Sequence, residues 1–342
     1  MPVTVVRFNL VDPASRELGA RYRAAVEMAA YADDRGVTTV QTEEHHGAAN
    51  NWLPSPFVFA GAVFGATRRV LVTVSAAIGP LYDPLRLAED IAVLDLLSGG
   101  RLVTVAGIGY RPEEYAALGV DWARRGALQD ELLETLLKAW TGEEFTFRGR
   151  GVRVTPRPGT RPHPLLLVGG SSRAAARRAA RLGLPFFPSA HLPDLEAYYR
   201  RKLAEYGTEG WTTMPAAETP LLHLAEDPDR AWAAYGTHFL HEARAYAAWQ
   251  SGGVRSAVRS AATTVEELRA EGVYRILTPD ECVAHAAGGA PSLVLHPLAG
   301  GMPVDEGWRS LRLFGERVLP RLKDVGSLSR GSFPQEEGAA GS

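Results

Sequence analysis

Residues 71–110 read LVTVSAAIGPLYDPLRLAEDIAVLDLLSGGRLVTVAGIGY. Two short apolar runs flank an amphipathic segment that opens after Asp83-Pro84 and closes at Ser98-Gly99-Gly100. Aspartate is a favourable N-cap, proline suits the first helical position, and glycine supplies the left-handed turn that ends a helix. The apolar residues inside the segment recur at helical spacing, so one face of the predicted helix is apolar and must pack against a sheet. The stretch therefore predicts one parallel βαβ unit.

The same alternation of strand and helix extends in both directions along the chain. Eight strands are predicted, at 3–10, 37–41, 70–78, 102–106, 165–168, 185–187, 216–224 and 292–295. Helices are predicted at 19–35, 54–66, 84–98, 123–140, 171–182, 194–206, 227–250 and 304–323. This pattern favours an α/β fold closed as a (β/α)8 TIM barrel, with an open doubly wound sheet as the alternative.

Three segments depart from that rhythm. Alternating apolar residues at 145–154 predict a peripheral hairpin. Residues 251–289 read as an insertion before the last strand, of a length that commonly forms a lid. Residues 324–342 offer almost nothing to bury, so we expect a disordered tail. The chain is thus predicted to be a single domain over 1–323.

Composition excludes several classes of protein. The 342 residues include 37 basic and 39 acidic side chains, and this balance gives no field that would collect nucleic acid or a membrane surface. The one cysteine, Cys282, excludes an internal disulfide framework. The first residues enter a strand pattern at once, without a signal segment, and we expect a cytoplasmic protein.

Two polar clusters follow predicted strands. Glu44, His45 and His46 come after the second strand, and an imidazole there can exchange a proton near neutral pH. Adjacent residues on extended chain point to opposite sides, which argues against a shared metal ion. His191 and His296, each just past a predicted strand, are weaker candidates of the same kind, and His223 is expected on an outer face or in the insertion. Gly169-Gly170-Ser171-Ser172 opens a helix and could cradle a phosphate, or could be only a capped turn. Neither a dinucleotide-binding GxGxxG turn nor a GxxxxGK[ST] loop stands in a usable context, and the GxSxG nucleophile motif is absent.

Taken together, these residues resemble the bacterial luciferase-like flavin monooxygenases. The likeness runs over nearly the whole chain from Val3 to about Leu322, and its longest block lies in the opening stretch. The blocks that carry it are Glu44-His45-His46-Gly47, Ala76-Ala77-Ile78 with 84–101, Gly109-Tyr110 with 119–121, 169–185, and His296-Pro297-Leu298 with Gly300-Gly301.

The resemblance implies a flavin lying across the carboxyl ends of the strands, with its phosphate on the turn at 170–175. It assigns the catalytic role to His45, in one cluster with Glu44 and His46. It also implies a non-prolyl cis peptide between Ala76 and Ala77. The cofactor-binding residues that follow are Ala76, Ala77, Gly107, Ile108, Gly109, Tyr110, Gly169, Gly170, Ser171, Ser172 and Arg173.

The chain departs from luciferase at one block. Gly107-Ile108 stands where luciferase has a cysteine followed by a flavin-binding arginine, so Arg101, Arg125 or Arg173 would have to supply that charge. The sequence does not choose among the three.

The implied activity is that of a monooxygenase acting on a small organic substrate. Reduced FMN, supplied by a separate flavin reductase, would react with O2 to form a C4a-peroxyflavin that oxygenates the substrate. Hydride transfer with the deazaflavin F420 is one alternative, and a noncatalytic flavin-binding protein is another. Relatives often pair as homodimers through barrel helices, but the sequence leaves the oligomeric state of this chain open.

Overall fold

The structure, a computed structural model, describes residues 1–15, 17–250 and 254–322. The predicted tail at 324–342 lies outside the described residues, as do the first three residues of the predicted lid.

Eleven strands occur in the described part of the chain. They are β1 (Val3–Phe8), β2 (Thr39–Thr42), β3 (Leu71–Ile78), β4 (Leu102–Gly107), β5 (Phe145–Phe147), β6 (Arg150–Val152), β7 (Leu165–Gly170), β8 (Phe186–Pro188), β9 (Leu221–Leu224), β10 (Tyr274–Leu277) and β11 (Ser292–Leu295).

Helices separate most of these strands. They are α1 (Leu18–Arg35), α2 (Pro56–Ala66), α3 (Pro84–Ser98), α4 (Pro112–Ala117), α5 (Arg125–Ala139), α6 (Arg173–Arg181), α7 (Pro193–Tyr206), α8 (Pro228–Trp249), α9 (Val265–Glu271), α10 (Pro279–Ala287), α11 (Val304–Leu313) and α12 (Leu319–Leu322). None of these helices has the length and apolar character that a bilayer span requires.

Nine strands form one parallel sheet in the order β10-β9-β11-β1-β2-β3-β4-β7-β8. The predicted α/β alternation is confirmed, and so is the peripheral hairpin, since β5 and β6 pair antiparallel. Hydrogen bonds run without interruption from β10 to β8, and within the described residues these two end strands do not pair with each other. All nine carboxyl ends lie at one edge, where ligand sites of parallel sheets form.

The ninth strand corrects the prediction for residues 251–289. That segment was expected to be an insertion, but it contains α9, β10 and α10, and β10 pairs with β9 from Tyr274↔Leu221 to Leu277↔Leu224. Tyr274 and Ile276 are buried while Arg275 between them is half-buried. A run of four residues is too short for its alternation to stand out in sequence.

The opening stretch folds as predicted. The Asp83 carboxylate accepts hydrogen bonds from the backbone N–H groups of Leu85 and Arg86, at 3.0 and 3.2 Å. Gly99 ends α3 in the left-handed conformation with φ of 67°. The covered face of α3 includes Leu87 and Ile91, which are fully buried in the core beneath β3 and β4.

Two of the differences from the sequence prediction have a clear physical reason. The first strand ends at Phe8 because Leu10, predicted as part of it, has a φ of 56°, which is incompatible with extended chain. Residues 112–117, expected as loop, form α4, whose first turn has Pro112 and two acidic residues. Proline and acidic side chains are both favourable at a helix N-terminus, so this helix had a readable signal.

Candidate functional site

His45 lies at the carboxyl edge of the sheet, just after β2, and is held at both ring nitrogens. Its Nδ1 atom is 2.9 Å from Oε1 of Glu114 on α4, and its Nε2 atom is 3.0 Å from the hydroxyl of Tyr110. These contacts join the loop after β2 to the loop and helix α4 that follow β4, across the end of β3. The geometry therefore brings together two groups, an imidazole and a phenol, that can hold or move a proton.

Glu114 fixes which nitrogen of His45 carries the proton. Burial disfavours the charged form of Glu114. Hydrogen bonds from His45 and from the His46 backbone N–H, together with the nearby charge of Arg111, outweigh burial and lower the pKa of Glu114. An ionised carboxylate can only accept, so Nδ1 of His45 must donate. In the neutral ring Nε2 is then the acceptor, and Tyr110 donates its hydroxyl proton to it.

Glu44 and His46 form a separate contact on the opposite side of the chain from His45. The Oε2 atom of Glu44 accepts a hydrogen bond from the backbone N–H of Ile78 at 2.7 Å. Its Oε1 atom accepts from the Tyr82 hydroxyl and lies beside Nε2 of His46, both at 2.7 Å. The hydrogen bond with Glu44 raises the pKa of His46. Glu44 thus braces the end of β2 against the end of β3, and the two histidines do not converge on one point.

Aromatic rings surround the imidazole of His45. The ring centroids of Trp52 and Trp249 lie 5.1 and 4.9 Å from it, and those of Tyr110 and Tyr246 lie at 5.4 and 6.5 Å. His45 itself is 5% exposed. This packing excludes bulk water from the imidazole, which strengthens its hydrogen bonds.

A buried ionic network lies behind the aromatic rings. Arg7 donates from Nε to Glu43 and from Nη1 to Glu242, the latter at 3.2 Å. Tyr246 donates to Glu43, while Arg7 Nη2 donates to the Tyr246 hydroxyl at 2.6 Å. Burial opposes the charge on Arg7, but these anionic partners raise its pKa well above the ordinary value. The network anchors α8, and with it Tyr246 and Trp249, against β1 and β2.

His296, a weaker candidate from sequence, belongs to this network and not to the open site. Its Nδ1 atom lies 3.0 Å from the backbone oxygen of Arg7, and Nε2 lies 3.0 Å from Glu242. His223, expected on an outer face, is also fully buried, on β9. The prediction for His223 was wrong because a strand of four covered residues in a parallel sheet shows no alternation.

Small residues lie close together where β3, β4 and β7 end, just before the loop that holds Tyr110. A Cβ atom on Gly107 would lie 3.1 Å from the Cβ of Ala76, and one on Gly169 would lie 3.9 Å from it. Gly109 has a φ of 65°, and a Cβ there would meet Ile78 at 2.9 Å. A planar ring can approach the backbone closely at such a surface. We name Ala76, Gly107 and Gly169 the strand-end floor.

The structure separates the two alanines that the resemblance placed together. Ala76 is half-buried at the strand-end floor, whereas Ala77 is 1% exposed and packs in the core. The non-prolyl cis peptide lies between Ser75 and Ala76, one residue before the expected position. The β3–β4 register shifts at the same place, between Ser75 and Ala77. Of the pair, only Ala76 has a side chain that faces the site.

The turn after β7 keeps its expected form. Gly170 has a φ of 146°, and Ser172 caps α6 by accepting from the Ala175 backbone N–H at 3.2 Å. Ser171 is half-buried, and Ser172 and Arg173 are exposed. Backbone N–H groups at a helix N-terminus are suited to a phosphate.

Arg255, from the segment that follows α8, also reaches this turn. It donates from Nη2 to the backbone oxygen of Ser171 at 3.0 Å, while its own backbone oxygen accepts from Ser189 at 2.6 Å. Sequence reasoning missed Arg255 because it lies 84 residues from Ser171 and next to no motif.

The three arginines considered from sequence occupy different places. Arg101 bonds to Ser98, Thr67 and Val70 at the amino end of β4, so it cannot reach the strand-end floor, and that option was wrong. Arg125 donates to the Trp122 backbone oxygen and stacks on the Trp122 ring. Arg173 lies over the ring of Tyr198, at 5.4 Å.

Two cavities in the described part of the chain are large enough for a small molecule. One, of about 420 Å³, adjoins His45 and is lined by Tyr110, Arg111, Pro112, Glu113, Trp122, Ala248 and Trp249. The other, of about 580 Å³, lies near Gly183 and Trp211, before β8 begins, and has no contact with the residues described above. Within the described ranges no group of three or more histidine, cysteine or acidic side chains could hold a metal ion.

The sequence of this chain is similar to those of several known proteins. The family model described as luciferase-like monooxygenase matches residues 1–288. Among curated relatives, the chain is 30% identical to an uncharacterised protein of Sinorhizobium fredii over 179 residues, 51% of each chain. It is 31% identical to an FMNH2-dependent dimethylsulfone monooxygenase of Pseudomonas putida over 138 residues, 38% of each. The chain thus spans about half or less of the length of these relatives.

Solved structures match over far more of the chain. Monooxygenase RslO1 from Streptomyces bottropensis has a TM-score of 0.74 at 28% identity, covering 93% of this chain and 99% of that one. The oxygenating constituent of 3,6-diketocamphane monooxygenase of Pseudomonas putida, solved with FMN, has a TM-score of 0.70 at 18% identity and covers 94% and 99%. An F420-dependent secondary alcohol dehydrogenase has a TM-score of 0.65 at 16% identity and covers 93% and 98%.

The last two likenesses, below 25% identity, show the shared fold alone. The family match extends over more than four-fifths of the sequence, from β1 to the end of α10. The chain belongs to the luciferase-like monooxygenases, a family of flavin-dependent oxidoreductases.

Proposed function

We propose that this protein is an FMN-dependent monooxygenase that receives reduced FMN from a separate reductase and uses O2 to oxygenate a small organic substrate. The observation that carries the proposal is the hydrogen bond between His45 and Tyr110, which lies on the short loop that leaves the strand-end floor at Gly107. Glu114 fixes the tautomer of His45, and Nε2 of His45 faces the Tyr110 hydroxyl. When bound, reduced FMN would supply the electrons that activate O2, chemistry that side chains cannot perform.

The residues at the carboxyl edge of the sheet suit a flavin in two respects. The strand-end floor consists of two glycines and an alanine, so no long side chain there would hold a flat ring away from the backbone. The turn at Gly170–Ser172, with Arg173 and Arg255 at its rim, offers backbone donors and positive charge to a phosphate. Ile108, Gly109 and Tyr110 would line the same edge, between the floor and His45.

His45 and Tyr110 would manage the proton. With Nδ1 held by Glu114, the Nε2 atom can accept a proton and return it through the Tyr110 hydroxyl. Trp249 and Trp52 would keep water away from this pair. Glu44 and His46 would act as a brace for the loop that presents His45.

A titration of the purified chain tests the cofactor. Tryptophan fluorescence is followed while FMN, anaerobically reduced FMN and F420 are added separately. Reduced FMN is expected to bind at least about tenfold more tightly than F420, a difference of about 1.4 kcal/mol. Tighter binding of F420, with anaerobic turnover, would instead support hydride transfer. Binding of oxidised FMN without any reaction of its reduced form with O2 would support a noncatalytic flavin protein.

A second experiment tests His45. Reduced FMN bound to the protein is mixed with aerated buffer, and its reoxidation is followed by absorbance for the wild type, His45→Ala and His163→Ala. His163 stacks on Trp140 outside the site and serves as the control. We expect His45→Ala alone to change the reoxidation rate, by about 100-fold if the histidine handles the proton. Equal rates for all three proteins would remove His45 from the mechanism.

A further inference from the structure

The cavity beside His45 has a distinctive composition. We define the aromatic cleft as the 420 Å³ space bounded chiefly by Tyr110, Arg111, Trp122 and Trp249. Three of these four side chains are aromatic, and the fourth is a guanidinium. A volume of this size is in the range that holds a small organic ligand.

One layer of side chains separates the aromatic cleft from His45. Tyr110 lines the cleft and donates its hydroxyl to His45 Nε2 at 3.0 Å. Trp249 also lines the cleft, and its ring centroid is 4.9 Å from that of His45. A ligand in the cleft would therefore touch the two residues that cover the imidazole.

Arg111 supplies a polar anchor in the same wall. Its guanidinium carbon lies 4.2 Å from the centre of the Trp249 ring, and its Nη1 donates to Glu114 and to the His46 backbone oxygen. Its buried Nε–H has no hydrogen-bond partner among the described residues. A buried donor without an acceptor costs free energy, and an acceptor on a ligand would satisfy it.

Trp249 covers both Arg111 and His45. A flat ligand that displaced the Trp249 ring would replace its stacking on the guanidinium and would uncover the imidazole at the same time. A saturated ring could fill the space but could not reproduce the stacking, because aromatic and cationic groups attract ring faces. The cleft thus discriminates by planarity.

We infer that the aromatic cleft binds the substrate, and that the substrate is a planar aromatic compound with an oxygen acceptor that pairs with Arg111. This inference rests on the proposed function, because the ligand is a substrate only if the protein is an enzyme. Binding of the ligand to the cleft does not itself require the flavin. The acceptor is a carbonyl or phenol oxygen. Glu113, whose side chain also lines the cleft, disfavours a more strongly anionic ligand.

Binding of three matched probes tests the inference by calorimetry, with and without FMN. Chromone is a planar aromatic ketone, 2-decalone keeps the carbonyl but not the plane, and naphthalene keeps the plane but not the carbonyl. Chromone is expected to bind about tenfold more tightly than either. Equal affinity for chromone and 2-decalone, or the absence of saturable chromone binding in both states, would overturn the inference.

Variants assign the effect to the cleft. Trp122→Leu is expected to raise the Kd for chromone about tenfold, whereas Trp308→Leu, on α11 outside the cleft, leaves it unchanged. Arg111→Lys is expected to weaken chromone but not naphthalene. Chromone binding that none of the cleft variants alters would contradict this placement.

The outcome separates the two proposals. If chromone binds as expected while neither FMN nor F420 binds, the aromatic cleft stands and the proposed function fails. If reduced FMN binds and reacts with O2 while the three probes bind alike, the proposed function stands and the inference about the substrate fails.

Discussion

The Nδ1 atom of His45 and the Oε1 atom of Glu114 lie 2.9 Å apart, at a sequence separation of 69 residues. Glu114 is fully buried and His45 nearly so. Because the pKa of Glu114 is lowered, its carboxylate stays ionised over the whole neutral range and keeps His45 in one tautomer. The contact between α4 and the loop after β2 thus decides which nitrogen of His45 faces Tyr110.

Glu114→Gln is the first prediction. An amide can donate as well as accept, so His45 should populate both tautomers, and the FMN reoxidation rate should shift toward that of His45→Ala. Nitrogen chemical shifts of the labelled imidazole report the tautomer directly. Glu113→Gln, a neighbouring change at an exposed position of α4, is the control. An unaltered imidazole spectrum in Glu114→Gln would contradict the role assigned to the carboxylate.

Glu242 provides the second prediction, which concerns stability. It is fully buried and faces Arg7 at 3.2 Å, Tyr274 at 3.1 Å and His296 at 3.0 Å. Glu242→Gln leaves Arg7 without part of its countercharge, so the free energy of unfolding should fall by about 3 kcal/mol. Thermal and urea denaturation measure the loss. Glu266→Gln, on the exposed face of α9, should have no such effect.

The pH dependence of that loss has a definite sign. Burial disfavours the Glu242 carboxylate, but His296 and Arg7 lower its pKa far below the ordinary value of 4.5. The stabilisation is then fully present above the unfolded-state pKa and is lost as the pH falls toward the folded-state value. The difference between wild type and Glu242→Gln should be constant above about pH 5.5 and should narrow below it. A difference that widened in acid would reject the ionised network.

The strand-end floor provides the third prediction. Ala76→Leu would place a larger side chain over Gly107 and Gly169, and we expect the affinity for FMN to fall by more than about tenfold. Because Ala76 is half-buried at the open edge of the sheet, the melting temperature should change little. Ala204→Leu, exposed on α7, is the matched control. FMN affinity that survives Ala76→Leu would place the ring elsewhere.

Local signals explain what the sequence could predict. The βαβ unit at 71–107 was readable because Asp83, Pro84 and Gly99 act on their immediate neighbours. The turn at 169–172 was readable for the same reason. His45 was identified by its position after a strand and by the family resemblance.

Contacts between distant residues explain what the sequence could not predict. Arg7 and Glu242 are 235 residues apart, and nothing in either neighbourhood names the other. Trp249 was expected only at the end of a packed helix, and its place over Arg111 and His45 depends on how α8 meets the loops after β2 and β4. Which charged groups share a buried space is a property of the assembled layers, so it follows only from the structure.

Helices α2 and α3 provide the last prediction. Helix α2 reads PFVFAGAVFGA, without one polar side chain, and its Val58 is 77% exposed. On the neighbouring α3, Leu97 is 70% exposed, and Val93 and Leu96 are exposed beside it. Contiguous apolar surface of this kind marks an interface between proteins.

A second copy of the chain suits this surface because a two-fold contact is self-complementary. Arg86, exposed on α3, and the half-buried acidic pair Glu89 and Asp90 could then pair across the axis as well as within the helix. We expect the wild type to sediment as a dimer at micromolar concentration and Leu97→Asp to sediment as a monomer with its fold retained. Leu118→Asp, at an exposed leucine after α4, should remain dimeric. Leu97→Asp should break the dimer because the new carboxylate would be buried in the interface without a partner. A monomeric wild type, or a dimer that Leu97→Asp leaves intact, would show that this face has another role.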